Sequence, residues 1–215
     1  MAIPFTVEQF YGVFSDYNNA VWPAQVVLVL LALAVVAVVA VVVLRPQPWS
    51  GVAVSAVLAF LWAWIAVAYH FTFFTRINPL AYGFAAVSMA GAAVFVWQGV
   101  VHRRLTFSWV AGWRAAAGSA LIVFALVVYP LWSAAVGHRY PAVASFGLPC
   151  PTTIFTIGVL AFAQRPSPRG VLVVPVLWCF VGAQAAFLLN VPPDLGLIAA
   201  AVVGIGLFVT ARKHS

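Results

Sequence analysis

The stretch YPLWSAAVGHRYPAVASFGLPCPTTIFT, residues 129–156, decides how this chain can cross a membrane. It ends in an apolar helix predicted over 152–164, which makes about 20 Å of helix against the roughly 30 Å hydrocarbon core of a bilayer. The rest of the bilayer thickness has to be crossed by the apolar run 146–150, which Pro149 and Pro151 keep out of regular helix. In lipid, non-helical backbone is tolerated only where protein or a wet cavity covers it. Other helices should therefore close around this segment.

The composition places the chain among multi-pass membrane proteins. Of its 215 residues, 66% are hydrophobic and 6% are charged, and several apolar runs are long enough to span a bilayer. The net charge of +7 is spread over short loops instead of forming one basic stripe, so no nucleic-acid partner is predicted. There is no Gly-rich phosphate loop of the Walker type. The two cysteines, Cys150 and Cys179, are predicted at different depths, and we interpret both as free thiols.

Hydrophobic periodicity predicts an all-α integral membrane seven-helix bundle, with an N-terminal interfacial helix and a short, broken fifth helix. The interfacial helix falls within 1–22, on the outer side, because Thr6 and Gln9 fit a capping box and aromatic residues line one face. It is either a belt that seats the first span or a lid over a site. The transmembrane domain covers 23–215, and its predicted spans are 23–44, 51–74, 79–101, 115–136, 152–164, 170–190 and 193–211.

Loop charges predict the orientation of these spans. Seven crossings put the two termini on opposite sides of the membrane. Arg76 and Arg139 fall on one side, whereas the other side holds most of the basic residues: Arg45, Arg103, Arg104, Arg114, Arg165, Arg169, Arg212 and Lys213. By the positive-inside rule, the C-terminus is cytoplasmic and the N-terminus is outside. The basic, tryptophan-containing loop 102–114 is typical of an anchor on anionic lipid.

Polar and ionisable residues gather at the outer end of the predicted bundle. All three acids of the chain, Glu8, Asp16 and Asp194, fall there. Ionisable groups inside a membrane cost free energy and usually face a cavity, so their clustering at one end of the bundle predicts an outward-facing pocket. The alternative is that these residues are polar only because outer loops are exposed to water. The candidate ligand-binding residues are His70, Arg76, Asn78, His138, Arg139, Tyr140, Cys150, Thr152 and Asp194.

His70 lies near the outer end of the second span, where an unpaired imidazole would be poorly solvated. We expect it to bond a carbonyl, Asp194 or the loop that contains His138. A second hypothesis is a metal site of His70, His138 and Cys150, because two imidazoles and a thiolate suit Zn or Cu. Haem held by the two histidines is a third. The three residues are far apart in sequence, so their spacing does not choose among these.

The Pro-Cys-Pro turn offers another candidate site. We expect an unwound entry into the short helix, with Cys150 at the positive end of the helix dipole, which favours an anion, a carbonyl oxygen or a thiolate. With His138 as base, Cys150 would serve as a nucleophile. The free N–H groups can instead be satisfied by Thr152 or Thr153 as cap. The sequence assigns no catalytic residue and no cofactor.

Several short motifs are distinctive, and they extend over nearly the whole chain: FTVEQF (5–10), YN (17–18), AVWPAQ (20–25), YH (69–70), INP (77–79), GHRYP (137–141) and FGLPCPTT (146–153). Together they resemble an uncharacterised family of small bacterial multi-pass inner-membrane proteins, defined by a domain of unknown function. The resemblance implies a bacterial inner-membrane setting. It implies no activity.

Three functions stay open at this point. The first is a polytopic bacterial membrane protein whose outward-facing polar pocket binds or passes a small solute or a metal ion. The second is a membrane-embedded enzyme that uses Cys150 or a His-bound metal. The third is an accessory subunit whose polar outer face docks a partner. Besides the lipid bilayer, the predicted partners are therefore a small-molecule or metal ligand, a protein of a membrane complex, or a second copy of the chain.

Overall fold

Apolar helices make up most of the protein. The structure, a computed structural model, describes residues 4–44, 47–108 and 110–211. Over these ranges the chain forms helices and no β-strand, which confirms the all-α class. The helices are α1 (Val7–Ala20), α2 (Ala24–Leu44), α3 (Ser50–Arg76), α4 (Ala81–Val101), α5 (Trp113–Ala135), α6 (Pro149–Leu160), α7 (Gly170–Leu188) and α8 (Pro192–Thr210).

Six of the described helices, α2 to α5, α7 and α8, are long and apolar enough to cross a membrane. The remaining apolar helix, α6, has 12 residues, or about 18 Å of helix. The protein is therefore a multi-pass membrane protein with one short apolar helix in addition to six long ones. Each predicted span corresponds to one of these seven helices, with ends that differ by a few residues.

The short helix α6 lies at the centre of the bundle. Its residues from Pro151 onward are buried, because α5, α7 and α8 pack around it. From α3, Trp62 Nε1 donates a 3.3 Å hydrogen bond to Thr156 Oγ1. Gly118 of α5 and Gly158 of α6 permit a close approach, since a Cβ atom at Gly158 would lie 3.0 Å from the Gly118 carbonyl oxygen. A helix too short to span the bilayer needs such enclosure, because the irregular backbone next to it cannot face lipid.

The start of α6 differs from the predicted one. The helix begins at Pro149 and ends at Leu160, whereas the sequence predicted an unwound Pro-Cys-Pro entry and a helix over 152–164. Proline is tolerated in the first helical turn because the N–H that it lacks would have no intrahelical partner there. The irregular backbone lies just before, at Gly147, whose φ of 98° is in the left-handed region that favours glycine. A side chain at Gly147 would also overlap Leu28.

Three of the long helices contain a wider π-helical turn: Ile65–Phe71 in α3, Val96–Val101 in α4 and Phe124–Val128 in α5. Such turns often occur at functional sites. The turn in α3 carries Tyr69 and His70, and both side chains are buried. The turn in α5 is followed by Pro130, which has no N–H for an α-helical hydrogen bond.

The bundle has two chemically different ends. We call the end on which α1 packs the α1 end, and all three acids of the chain lie there. At the opposite end, which we call the basic end, the loop after α4 joins the loop after α6: Gln164 N donates to Thr106 O at 2.7 Å. The described basic residues of that end are Arg103, Arg104, Arg114, Arg165 and Arg169. Of the other residues used to predict orientation, Arg45, Arg212 and Lys213 lie outside the described residues.

Candidate ligand-binding site

A cavity of about 450 Å³ lies beneath α1. Its walls come from the N-terminal segment through Phe14, from α3, from the start of α4, from the turn that leads into α6, and from α7. Apolar and aromatic side chains predominate in these walls. The side chains among them that carry a polar group are Tyr69, His70, Asn78, Cys150, Trp178 and Gln184. This size, with a mostly apolar lining and a few polar groups, is typical of small-molecule sites.

His70 is completely buried in the cavity wall. Its ring packs among aromatic rings, with centroid distances of 4.8 Å to Trp178 and 5.7 Å to Phe84. Neither ring nitrogen has a hydrogen-bond partner within the described part of the chain. The hydrogen bond expected from His70 to Asp194 or to the loop of His138 is therefore not formed. Buried polar groups are nearly always paired, so an unpaired imidazole requires an explanation.

Cys150, at the start of α6, and Trp178, in the middle of α7, bring further polar groups to the cavity. Gly182 makes room for both, since a Cβ atom there would lie 3.1 Å from Trp178 Nε1 and 3.4 Å from Cys150 Sγ. Trp178 Nε1 is buried and forms no hydrogen bond to a nitrogen or oxygen atom of the described residues, although the Cys150 thiol, a weak acceptor, lies beside it. Two neighbouring rings of the wall, His70 and Trp178, thus carry unsatisfied nitrogen atoms.

Asp194 supports the cavity wall without lining it. It is buried at the start of α8, where its Oδ1 accepts a 2.5 Å hydrogen bond from the Tyr129 hydroxyl. The Cys150 thiol also lies close to this carboxylate. A buried carboxylate is costly unless such bonds hold it. The arrangement therefore links the thiol of the cavity wall to an acid and a phenol behind it.

His138 lies outside the cavity, in a contact that fastens α1 to the bundle. Its ring stacks on that of Tyr11 with centroids 4.1 Å apart, and its Nδ1 lies 3.1 Å from the Tyr11 hydroxyl. That hydroxyl donates its one proton to Asn190 O at 2.9 Å, so it accepts from His138, which places a proton on Nδ1. Burial, with a smaller contribution from the charge of Asp194, raises the pKa of Tyr11 to about 12. The hydroxyl therefore stays neutral and able to donate.

Three of the predicted ligand-binding residues lie on the protein surface. Arg76 is exposed, and its Nη1 lies 3.7 Å from Asp16 Oδ2 in an ion pair with α1. Arg139 is also exposed. The Tyr140 hydroxyl donates a 3.0 Å hydrogen bond to Asn18 O, so this ring helps to hold α1. All three belong to the predicted end of the bundle but not to the cavity.

Asn78 and Thr152 differ in their relation to the cavity. Asn78 lines it, and its Oδ1 accepts a 3.1 Å hydrogen bond from Leu80 N. Thr152 is fully buried, and its Oγ1 accepts from Gly147 N at 3.2 Å, so it stabilises the turn before α6. Of the nine predicted residues, the structure thus brings three into the cavity beneath α1, namely His70, Asn78 and Cys150, and another three, His138, Arg139 and Tyr140, line a separate cavity of about 580 Å³.

Asn18 is an important residue of this end that the sequence did not single out. It is completely buried, and its Nδ2 donates to Pro141 O at 2.7 Å and to Val143 O at 2.8 Å. Its Oδ1 accepts from Ser145 Oγ at 2.6 Å and from Gln25 Nε2 at 3.3 Å. One amide group thus joins α1 to the loop between α5 and α6 and to α2.

The residues proposed for a metal site are not brought together. Within the described ranges, no three His, Cys, Asp or Glu side chains gather closely enough to hold a metal ion. His70 lies in the cavity wall, His138 stacks on Tyr11 and Cys150 neighbours Asp194. The structure therefore corrects the hypothesis of a three-residue metal site. Nor does it support haem held by the two histidines.

A family model matches residues 7–215, and the family is described as one of unknown function (DUF6064). No curated protein and no solved structure matches the chain. The family match extends from the first residue of α1 through α8, so it covers the helices that carry His70, Cys150 and Trp178. The resemblance noted from the sequence motifs is confirmed.

Proposed function

Because the chain belongs to DUF6064, a family of unknown function, we propose its role from the site alone: it binds a small, largely apolar molecule in the cavity beneath α1. The observation that carries this proposal is the pair of unsatisfied rings, His70 and Trp178, in the cavity wall. A buried polar group without a partner costs about 1–3 kcal/mol. Because these nitrogen atoms are closed off from the cavity, a ligand would have to shift the two rings slightly to bond them, and it would then recover that free energy.

The chemistry of the wall indicates the class of ligand. Trp178 Nε1 can only donate, and a neutral imidazole donates from one nitrogen and accepts at the other. The surrounding phenyl rings, among them Phe10, Phe74 and Phe84, favour a flat apolar body. We therefore expect a molecule with an aromatic or other planar apolar part and a carbonyl or hydroxyl oxygen.

A pair of matched probes tests the proposal. We expect 2-acetylnaphthalene to bind the purified protein more tightly than 2-ethylnaphthalene, because only the ketone can accept a hydrogen bond from the wall. One hydrogen bond to a buried donor corresponds to about a tenfold difference in Kd. His70→Phe and Trp178→Phe keep an aromatic ring but remove its N–H, so one or both should abolish this difference. Equilibrium dialysis measures the affinity of both probes for the unmodified protein and for each variant.

The matched control is Trp132→Phe. Trp132 packs on Phe124 in α5, and it does not line the cavity. This replacement should leave the preference for the ketone unchanged. If neither probe binds, or if the preference survives in both His70→Phe and Trp178→Phe, the cavity is not a ligand site of the kind proposed.

The membrane setting is part of the same proposal. α6 passes through the bundle from the α1 end towards the basic end, so we infer seven crossings of a bacterial inner membrane, with α1 as an interfacial helix outside and the C-terminus in the cytoplasm. The positive-inside rule supports this direction. The cavity would then open towards the outer face.

Reporter fusions check this topology. Fusions after Arg104 and after Ser215 should both report a cytoplasmic position, and a fusion after Arg139 should report an outside position. If the fusions after Arg104 and Ser215 fall on opposite sides, the number of crossings is wrong. If all three fusions report the opposite side, the number of crossings is right but the orientation is wrong.

A membrane enzyme that uses Cys150 is the second candidate, because the thiol borders the cavity and neighbours the Asp194 carboxylate. Asp194 would take the thiol proton, and the thiolate would add to the ester carbonyl carbon of a bound molecule as the C=O electron pair moves onto oxygen. Collapse of that adduct would break the C–O bond, and the alcohol would leave with the proton returned by Asp194. His138, which the sequence offered as the base, stacks on Tyr11 instead. The base in this mechanism is therefore Asp194.

A further inference from the structure

We propose that the basic end binds one phosphate group in a crevice between Arg114 and Arg165. The crevice lies where the start of α5 meets the loop after α6, and Ser167 also lines it. This site is at the opposite end of the bundle from the cavity beneath α1. Its argument does not depend on the function proposed for that cavity.

Arg114 is an unusual cation because 91% of its surface is buried, leaving 9% exposed. Its Nη2 donates a 2.6 Å hydrogen bond to Ala163 O, which holds the guanidinium in place. Its Nε is buried and has no partner in the part of the chain that the structure describes. Arg165 lies near enough to repel it. A buried charge of this kind requires an anion nearby.

The protein has no acidic side chain to supply at this end. The whole sequence contains three acids, Glu8, Asp16 and Asp194, and all belong to the α1 end. The counter-charge must therefore come from another molecule. Guanidinium groups match phosphate in particular, since their planar N–H donors bond two oxygens at once.

The shape of the crevice limits how a phosphate can enter. Its volume is about 10 Å³, which admits one oxygen-sized group and no more. One phosphate oxygen would enter beside Arg114, and the remaining oxygens would stay at the mouth, where Arg165 is exposed. Leu172 and Leu207 are buried and close the inner wall of the crevice, so the acyl chains of a lipid would stay outside its mouth. A phospholipid headgroup and free phosphate share the required chemistry.

The experiment compares two lipids with the same acyl chains, phosphatidylglycerol and diacylglycerol, and also inorganic phosphate. Native mass spectrometry of the full chain counts bound lipid, and dialysis measures bound phosphate. We expect one phosphatidylglycerol to bind at least about tenfold more tightly than diacylglycerol, as the loss of a hydrogen bond to a charged group predicts. Arg114→Gln and Arg165→Gln should each remove this advantage. Because Arg165 is exposed, its replacement keeps the test valid even if Arg114→Gln fails to fold.

Arg103→Gln is the matched control, since it removes the same charge from an exposed position at the same end. It should leave phosphatidylglycerol binding within a factor of about two, because Arg103 does not line the crevice. If inorganic phosphate binds with the same dependence on Arg165 while the two lipids bind equally, the site stands and its ligand is free phosphate. The proposal is overturned if neither ligand depends on Arg165, or if Arg103→Gln has an equal effect.

Discussion

Gly118→Ala should destabilise the protein, whereas Gly83→Ala should not, although both replacements add one methyl group to a long helix. A Cβ atom at residue 118 would lie 2.8 Å from the Cβ of Ala161 and 2.9 Å from the carbonyl oxygen of Gly158. Neither atom belongs to a flexible side chain, so α5 and the buried α6 would have to move apart. Overpacking of this kind typically costs about 1–3 kcal/mol.

The control has the opposite expected sign. Gly83 in α4 has no atom within 4 Å of the Cβ position, so alanine there adds helix propensity of up to about 1 kcal/mol. Thermal unfolding of the detergent-solubilised protein can be followed in a Cys150→Ala background, so that one thiol reports, with a thiol-reactive fluorogenic dye that detects exposure of the buried Cys179. A midpoint for Gly118→Ala equal to or above that of Gly83→Ala would contradict the close contact between α5 and α6.

The central position of α6 could be predicted from the sequence, but its first residue could not. A short apolar helix next to irregular backbone has to be enclosed by protein, and that argument needs only helix length and bilayer thickness. The start depends on which of two roles Pro149 takes, because proline breaks a helix interior but favours a first turn. Gly147 adopts the left-handed conformation and packs against Leu28, so the helix can begin only after it, with Pro149 in the first turn. That contact joins distant parts of the chain.

The end of the bundle that holds the cavity beneath α1 could be predicted from the sequence, but the side chains that line the cavity could not. Polar residues pooled at one end, and the cavity lies there, yet Arg76, Arg139 and Tyr140 point to the surface. Charge patterns locate an end of a bundle, whereas helix rotation decides which side chains face inward. In α3 the π-helical turn sets that rotation, so His70 packs against Trp178 instead of bonding Asp194.

Trp178 and Asn18 show two different limits of sequence reasoning. A tryptophan within the apolar run of α7 resembles any core residue, and its unsatisfied N–H becomes visible only in the fold. Asn18 did leave a signal, because it continues the buried face of Phe10 and Phe14 at a spacing of four residues. A polar residue in register with a buried face requires partners, and those of Asn18 come from loops that the sequence could not place.

Asn18→Asp should be the most disruptive conservative replacement at the α1 end. The two side chains have the same shape, but aspartate puts an oxygen where the amide nitrogen now donates to Pro141 O and Val143 O. Two carbonyl groups would lose their donor and face a negative charge. Each unsatisfied group costs about 1–3 kcal/mol, so the total loss should be several kcal/mol. Asn19→Asp makes the same charge change at the next, exposed residue and should have little effect.

This replacement also decides between the two interpretations of α1, as a lid or as a fixed part of the fold. Phe10 and Phe14 of α1 form part of the cavity wall, and the half-buried thiol of Cys150 borders the same space. If α1 is a lid, Asn18→Asp should release it locally, and a polar maleimide should label Cys150 far below the unfolding temperature. Labelling is measured in a Cys179→Ala background so that one thiol reports. If Cys150 reacts only as the whole protein unfolds, α1 is a structural belt and access to the cavity must lie elsewhere.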